Sequence, residues 1–289
     1  MFIRLGYDIQ FDIAAPLAYV AQLRVHSSRQ ADLREPDILR IESTGYNYSS
    51  GLYETTEVPS HEYIDTYGNF CTRFTAPAGH LKITNSTLIE DSGEVDPSDW
   101  SAKEIPAHEL PDDVLRFLLN SRYCETDLLA PIAYDLFGSV PPGWGRVQAI
   151  CDWVQSKVTF NYGMTRPTKT ALDVFTERVG VCRDFQHLAV AFCRCLNIPA
   201  RYVAGYLGDI RVPLRLPMDF SAWFEVYLDH KWWAFDARNN TPRVGRVLMA
   251  TGRDAADVAF LTSFGTSTLT NFYVVSDEVV EPEAASSNL

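Results

Sequence analysis

The run Val179-Gly180-Val181-Cys182-Arg183-Asp184-Phe185-Gln186-His187-Leu188 decides how the rest of the chain is read. A glycine breaks the chain just ahead of a cysteine. Phe185, Leu188, Ala189, Phe192 and Leu196 then recur at three- and four-residue steps, the spacing of one helix face. Asn197-Ile198-Pro199 stops that helix. Cys182 therefore falls in the first helical turn, where the unpaired N–H groups and partial positive charge of the helix end favour a thiolate and can hold an oxyanion. This spacing points to a reactive thiol. The competing expectation for any one cysteine is a buried structural residue.

Outward from this stretch, the chain has 289 residues, of which 46% are hydrophobic and 21% charged, an ordinary globular composition with room for two domains. A net charge of −12 argues against nucleic acid as a partner. No apolar run approaches the roughly eighteen residues of a membrane helix, and Met1-Phe2-Ile3-Arg4-Leu5-Gly6-Tyr7-Asp8 lacks the apolar core of a secretory signal. The six cysteines (71, 124, 151, 182, 193 and 195) include no C-x-x-C pair. Together these features predict reduced thiols in a cytoplasmic protein with no membrane contact. Cys193 and Cys195 stand two apart on a helix and face different ways, and the histidines are scattered, so neither a metal nor a cofactor is expected.

Residues 1–95 read as a β-rich domain, a small sandwich. Phe2–Ile9, Leu39–Glu42, Glu62–Asp65 and His80–Thr84 alternate, and Tyr67-Gly68-Asn69 and Pro77-Ala78-Gly79 look like hairpin turns. His26, His61 and His80 are expected at the surface or in strands. Glu90–Asp99 is acidic and small, and residues 96–110 read as a linker. Residues 111–280 read as a second unit. A helix opens at Pro111-Asp112-Asp113, a stripe of Val147, Ile150, Cys151, Val154 and Val158 marks another, and Thr170–Phe175 forms a short capped helix before Gly180. Strands follow at Ala200–Tyr206, Ala222–Leu228, Trp232–Asp236 and Asn271–Val275, and residues 281–289 read as a flexible tail. Helices followed by an antiparallel sheet make the fold class α+β.

Five pieces of this second unit resemble the transglutaminase-like superfamily: Thr170–Phe175, Gly180-Val-Cys-Arg-Asp-Phe185, Asn197–Tyr206, Ala222–Leu228 and Phe235-Asp-Ala-Arg238. The β-rich start looks like the N-terminal domain of bacterial members. The resemblance implies a papain-like core with Cys, His and Asp in that chain order, a cysteine hydrolase or acyltransferase acting on amide or peptide bonds, and a peptide or protein substrate. Cys182 matches the family's nucleophile and Asp236 the acid that orients the base. The family's histidine normally stands directly before Ala-Trp, where this chain has Ser221. Similar bacterial sequences tend to carry a histidine after Asp-Ala-Arg, where this chain has Asn239.

If Asp229-His230 is a two-residue turn, Leu228 pairs with Lys231 and Ser221 falls opposite Arg238, with Asp236 as its diagonal neighbour, about 7–8 Å away. Ser221 then occupies the vacated base position, and serine is too short to span from thiol to carboxylate. His187 lies about 140° round the helix from Cys182. A natural enzyme with altered chemistry, an engineered serine and a catalytically inactive module that binds peptide or protein all fit this departure. Tyr162, Tyr206, Trp223, Trp232 and Trp233, with Asn239, are candidate walls of a substrate cleft. The sequence does not fix an oligomeric state.

Overall fold

The structure is a computed structural model that describes residues 1–279; the tail expected at 281–289 lies outside the described residues. The first strands are β1 (Phe2–Ile13), β2 (Leu17–Ala21), β3 (Arg40–Asn47), β4 (Leu52–Glu57), β5 (Ser60–Ile64), β6 (Phe70–Ala76) and β7 (Gly79–Glu90). Alternation along β1 buries Ile3, Leu5, Tyr7 and Ile9, while Arg4 and Asp8 stay partly exposed. These strands build two antiparallel sheets whose apolar faces join in one cluster that includes Leu5, Ile9, Tyr19, Phe74 and Leu81. Tyr67-Gly68-Asn69 joins the paired strands β5 and β6 as expected. Pro77-Ala78-Gly79 does not make a hairpin. β6 pairs with β2 and β5, whereas β7 pairs with β1 and β3, so this turn carries the chain from one sheet to the other.

The helical part follows: α1 (Asp112–Leu115), α2 (Thr126–Phe137), α3 (Trp144–Lys157), β8 (Thr159–Phe160), α4 (Ala171–Glu177), β9 (Val179–Gly180) and α5 (Cys182–Cys195). Thr170 and Asp173 close a capping box at the start of α4. A third antiparallel sheet comprises β10 (Ala200–Leu207), β11 (Ser221–Leu228), β12 (Lys231–Phe235) and β13 (Arg246–Gly252), in the order β12-β11-β10-β13. Helix α5 lies against this sheet. Its Phe185, Leu188, Ala189 and Phe192 pack with Val147, Ile150 and Val154 of α3 and Phe224 and Val226 of β11 in one apolar core. Asp229 and His230 both take positive φ (48° and 63°), as a tight two-residue hairpin turn requires. The register expected for that hairpin holds from Leu228↔Lys231 to Phe224↔Phe235, where the ladder ends.

Two features depart from the sequence reading. Strands β14 (Leu261–Ser263) and β15 (Thr268–Glu278) leave the helical unit and join the sandwich, β14 beside β2 and β15 along the length of β1. The strand expected at Asn271–Val275 therefore completes the first domain, because β1 needs a partner on its free edge and β13 does not take one. The 96–110 segment is also packed. Ala102, Ile105 and Leu110 are buried, and Asp96 accepts from Arg243 N and from Arg246 Nε at 2.9 and 2.8 Å.

Candidate active site

Helix α5 starts at a close backbone approach. A Cβ on Gly180 would sit 2.6 Å from the Asp184 Cβ, so only glycine lets the chain pass this close to the helix it is about to enter. Asp184, fully buried, accepts from Val181 N at 2.9 Å and from Arg183 Nε at 3.1 Å and fixes the first turn. The Cys182 sulfur lies at that turn, against the start of β11, where the backbone N–H groups of Arg183 and Ala222 favour its ionised form. Cys182 is partly exposed, while the other five cysteines are buried.

The cleft over Cys182 has a volume of about 350 Å³. Its lining includes Phe160, Tyr162, Asp219, Ser221, Arg238 and Asn239. Ser221 is brought there by the start of β11, opposite Gly205, where a Cβ would meet Val247 O at 2.2 Å and the Trp223 ring at 2.8 Å. No histidine lines this cleft among the described residues. His187 is buried on another face of α5, stacked on Tyr123 and tilted against Tyr202 at 5.0 Å from each, and its Nε2 accepts from Ala255 N at 3.1 Å. His26, expected at the surface or in a strand, is buried ahead of a short 3-10 turn, bonded to Ser28 and to Tyr67 O.

Asp236 follows β12 and opens a turn. Its Oδ1 accepts at 3.0 Å from Gln186 Nε2, Arg238 N and Asn239 N, and its Oδ2 accepts from Asn239 Nδ2 at 2.8 Å and Arg246 at 3.4 Å. Burial opposes the charge on this carboxylate. Arg246, the Asn239 side chain and the turn N–H groups outweigh that and hold its pKa below the usual value. Asp236 does not itself line the Cys182 cleft. It faces a smaller cavity of about 60 Å³ shared with Trp144, Gln148 and Arg246. The side chain that touches Asp236 and also lines the cleft is Asn239.

Gln186 is the residue that sequence reasoning passed over. It stands four residues after Cys182 on the same helix face, donates to Asp236 and to Ala222 O (3.2 Å), and accepts from Ala237 N (3.1 Å). The spacing Cys182–Gln186 was the available signal. Three expectations are corrected. Tyr206 and Trp223, each 2% exposed, do not wall the cleft: Tyr206 packs on Phe220 in the sandwich-side core, and Trp223 is fully buried with the Arg246 guanidinium over its ring. Trp232 packs on Phe117 and Tyr227, and Trp233 on Trp144 in the core. The thiol is also not made acidic by the helix end. Burial pushes its pKa above the usual value, while Arg238 and the two backbone N–H groups pull the other way and fall short.

A cysteine at a helix start, backed by a sheet whose next strands carry a buried acid, defines a papain-like thiol fold. Residues 132–237 match the sequence profile of the Transglutaminase-like superfamily. A crystal structure of a candidate cysteine protease from Cytophaga hutchinsonii is 30% identical, with 98% of this chain and 93% of that one covered and a TM-score of 0.80. An uncharacterised protein of Mycobacterium leprae is 29% identical over 69% of this chain and 74% of its own length, and one of Mycobacterium bovis 27% identical over 67% and 68%. The chain belongs to the transglutaminase-like superfamily. Among the described residues no helix is long and apolar enough to cross a membrane.

Proposed function

We propose that the chain is a cysteine-dependent hydrolase or acyltransferase acting on amide or peptide bonds through an acyl-enzyme on Cys182. The observation that carries this reading is the placing of one sulfur: at the start of α5 and open to a cleft, while the other five thiols are buried. The sulfur attacks a carbonyl carbon. An S–C bond forms and the carbonyl pair moves to oxygen; on collapse the C–N bond breaks and the amine leaves with the proton the thiol gave up. Water or a second amine then takes the acyl group and returns a proton to sulfur.

In this reading Ser221 stands where the family places its catalytic imidazole and Asn239 where similar bacterial sequences tend to carry a histidine, and neither is a base. A general base contributes about 10²–10⁴-fold, so turnover of the present chain is low and the proton moves through water. Asp236 holds the Asn239 amide where an imidazole would be held. A peptide or protein is the substrate class, and the six free thiols support a cytoplasmic setting. The test is Ser221→His and, separately, Asn239→His, assayed on peptide and ester substrates. A turnover gain of at least about 10²-fold in either variant supports the proposal. Two well-folded variants with no gain, and no response to added imidazole, would overturn it.

A second reading is a catalytically inactive module that binds peptide. The cleft without a histidine and the raised thiol pKa favour it. Retained peptide binding in Cys182→Ala, with no turnover in any variant, would select it.

A further inference from the structure

Of the four arginines that line the two cavities, Arg243 pairs with Asp209 and Arg246 with Asp96 and Asp236, while the exposed Arg215 and the half-buried Arg238 make no ion pair among the described residues. Of these last two, Arg238 is the one held in place. It lines the cleft over Cys182, half-buried, its guanidinium stacked 4.0 Å above the Phe160 ring, and among the described residues its side chain makes no ion pair and donates no hydrogen bond. Asp219 lines the same cleft, yet the two form no ion pair. In a chain with 37 acidic residues against 25 lysines and arginines, a cleft arginine that acts on the Asp219 carboxylate only from beyond ion-pair distance is not explained by a shortage of acids. Stacking fixes the guanidinium plane and leaves its edge donors free, the geometry that receives a carboxylate in two parallel hydrogen bonds.

We infer that Arg238 receives a substrate carboxylate, so that the acyl donor taken by Cys182 is an acidic peptide whose negative charge lies close to the reacting carbonyl. This rests on the Cys182 reading above and names its substrate class. Arg215, the other cleft-lining arginine with no ion pair, is exposed on the loop before β11 and serves as the control.

The test needs neither turnover nor a known substrate. Iodoacetate and iodoacetamide are nearly the same size and differ by one negative charge. Each alkylates a thiolate as an S–C bond forms and iodide leaves. The rates are measured at Cys182 by peptide mass mapping and expressed as the ratio of iodoacetate to iodoacetamide. Any change in thiolate fraction slows both reagents equally and cancels. The ratio is expected to exceed that of N-acetylcysteine by about tenfold, as befits a charge-assisted contact. It is expected to fall to the N-acetylcysteine value in Arg238→Gln, to survive in part in Arg238→Lys and to stay unchanged in Arg215→Gln. A ratio that is no higher than the small thiol's, or that Arg238→Gln leaves alone, would overturn the inference while leaving a reactive Cys182 in place. Failure of both reagents to modify Cys182 would overturn the acyl-enzyme reading as well. Two competitors then separate the source of the carboxylate: a blocked peptide with a glutamate side chain and a neutral peptide with a free C-terminus. Protection of Cys182 by either, lost in Arg238→Gln, supports the inference and names the source; protection by neither overturns it.

Discussion

Gln186 Nε2 donates to Asp236 Oδ1 at 3.0 Å, and through this bond the helix that carries Cys182 holds the acid of the adjoining sheet. The same amide donates to Ala222 O and accepts from Ala237 N, so one side chain ties α5 to two consecutive strands. All of these groups are buried. Gln186→Leu keeps much of the volume, leaves Ala237 N without its partner and takes one of three donors from Asp236 Oδ1. The expected loss is about 1–3 kcal/mol for each buried polar group left unpaired. Urea unfolding of the purified variant measures it, and a change within about 0.5 kcal/mol would show that the bond is incidental.

Asp236→Asn tests the electrostatics of the turn. Arg246 is 7% exposed and loses a buried counter-charge, keeping only Asp96. Breaking a buried pair from one side costs about 3–5 kcal/mol, and the remaining Asp96 contact puts the expectation at the lower end. The sign with pH follows from the lowered carboxyl pKa. The folded state holds Asp236 ionised where the unfolded chain would already bind a proton. Its contribution is therefore full above the ordinary carboxylate range, about pH 4, and lost as pH falls through and below it. Unfolding curves of the wild type and Asp236→Asn should converge as pH drops below about 4.

The parts of this architecture that the sequence reveals are those set by local rules. Gly180 ahead of an apolar three-and-four pattern marks the start of α5, and the observed helix begins at Cys182. Asp229-His230 between two aromatic-rich strands fixes the β11–β12 register at the residue level. The parts it hides depend on distant partners. Helix α2 carries Pro131 in its interior, which disguises it as a break, and it forms because Leu129, Ala133 and Phe137 find a core against α5. Strand β15 has no local mark that assigns it to β1 some 260 residues earlier. Tyr206 and Trp223 look like cleft aromatics, yet the same apolar bodies also fill cores, and here they do. The thiol's basicity depends on how much water the fold removes from Cys182, which no spacing rule reports.

His187 makes acid stability measurable at a milder pH. Burial, then Arg183 and Arg194, hold its pKa well below the ordinary 6.5. The folded protein keeps the ring neutral, while the unfolded chain protonates near pH 6.5. The unfolded state thus binds more protons below that value, so stability is full above about pH 6.5 and falls on acidification, by up to about 1.4 kcal/mol per pH unit for this one group. His26, lowered mainly by burial, adds a smaller effect of the same sign. Chemical unfolding of wild type and His187→Phe between pH 7 and 5 isolates the His187 share as the difference between the two slopes. Parallel curves would show that the ring protonates freely in the folded state.

The central claim, that Cys182 alone carries an acyl group, is tested most directly by intact and peptide mass spectrometry after incubation with a small activated thioester. The account predicts one acyl group per chain, mapped to the peptide that holds Cys182, released by hydroxylamine and absent from Cys182→Ala. An adduct spread over several cysteines, or none on Cys182 while the protein remains folded, would contradict it.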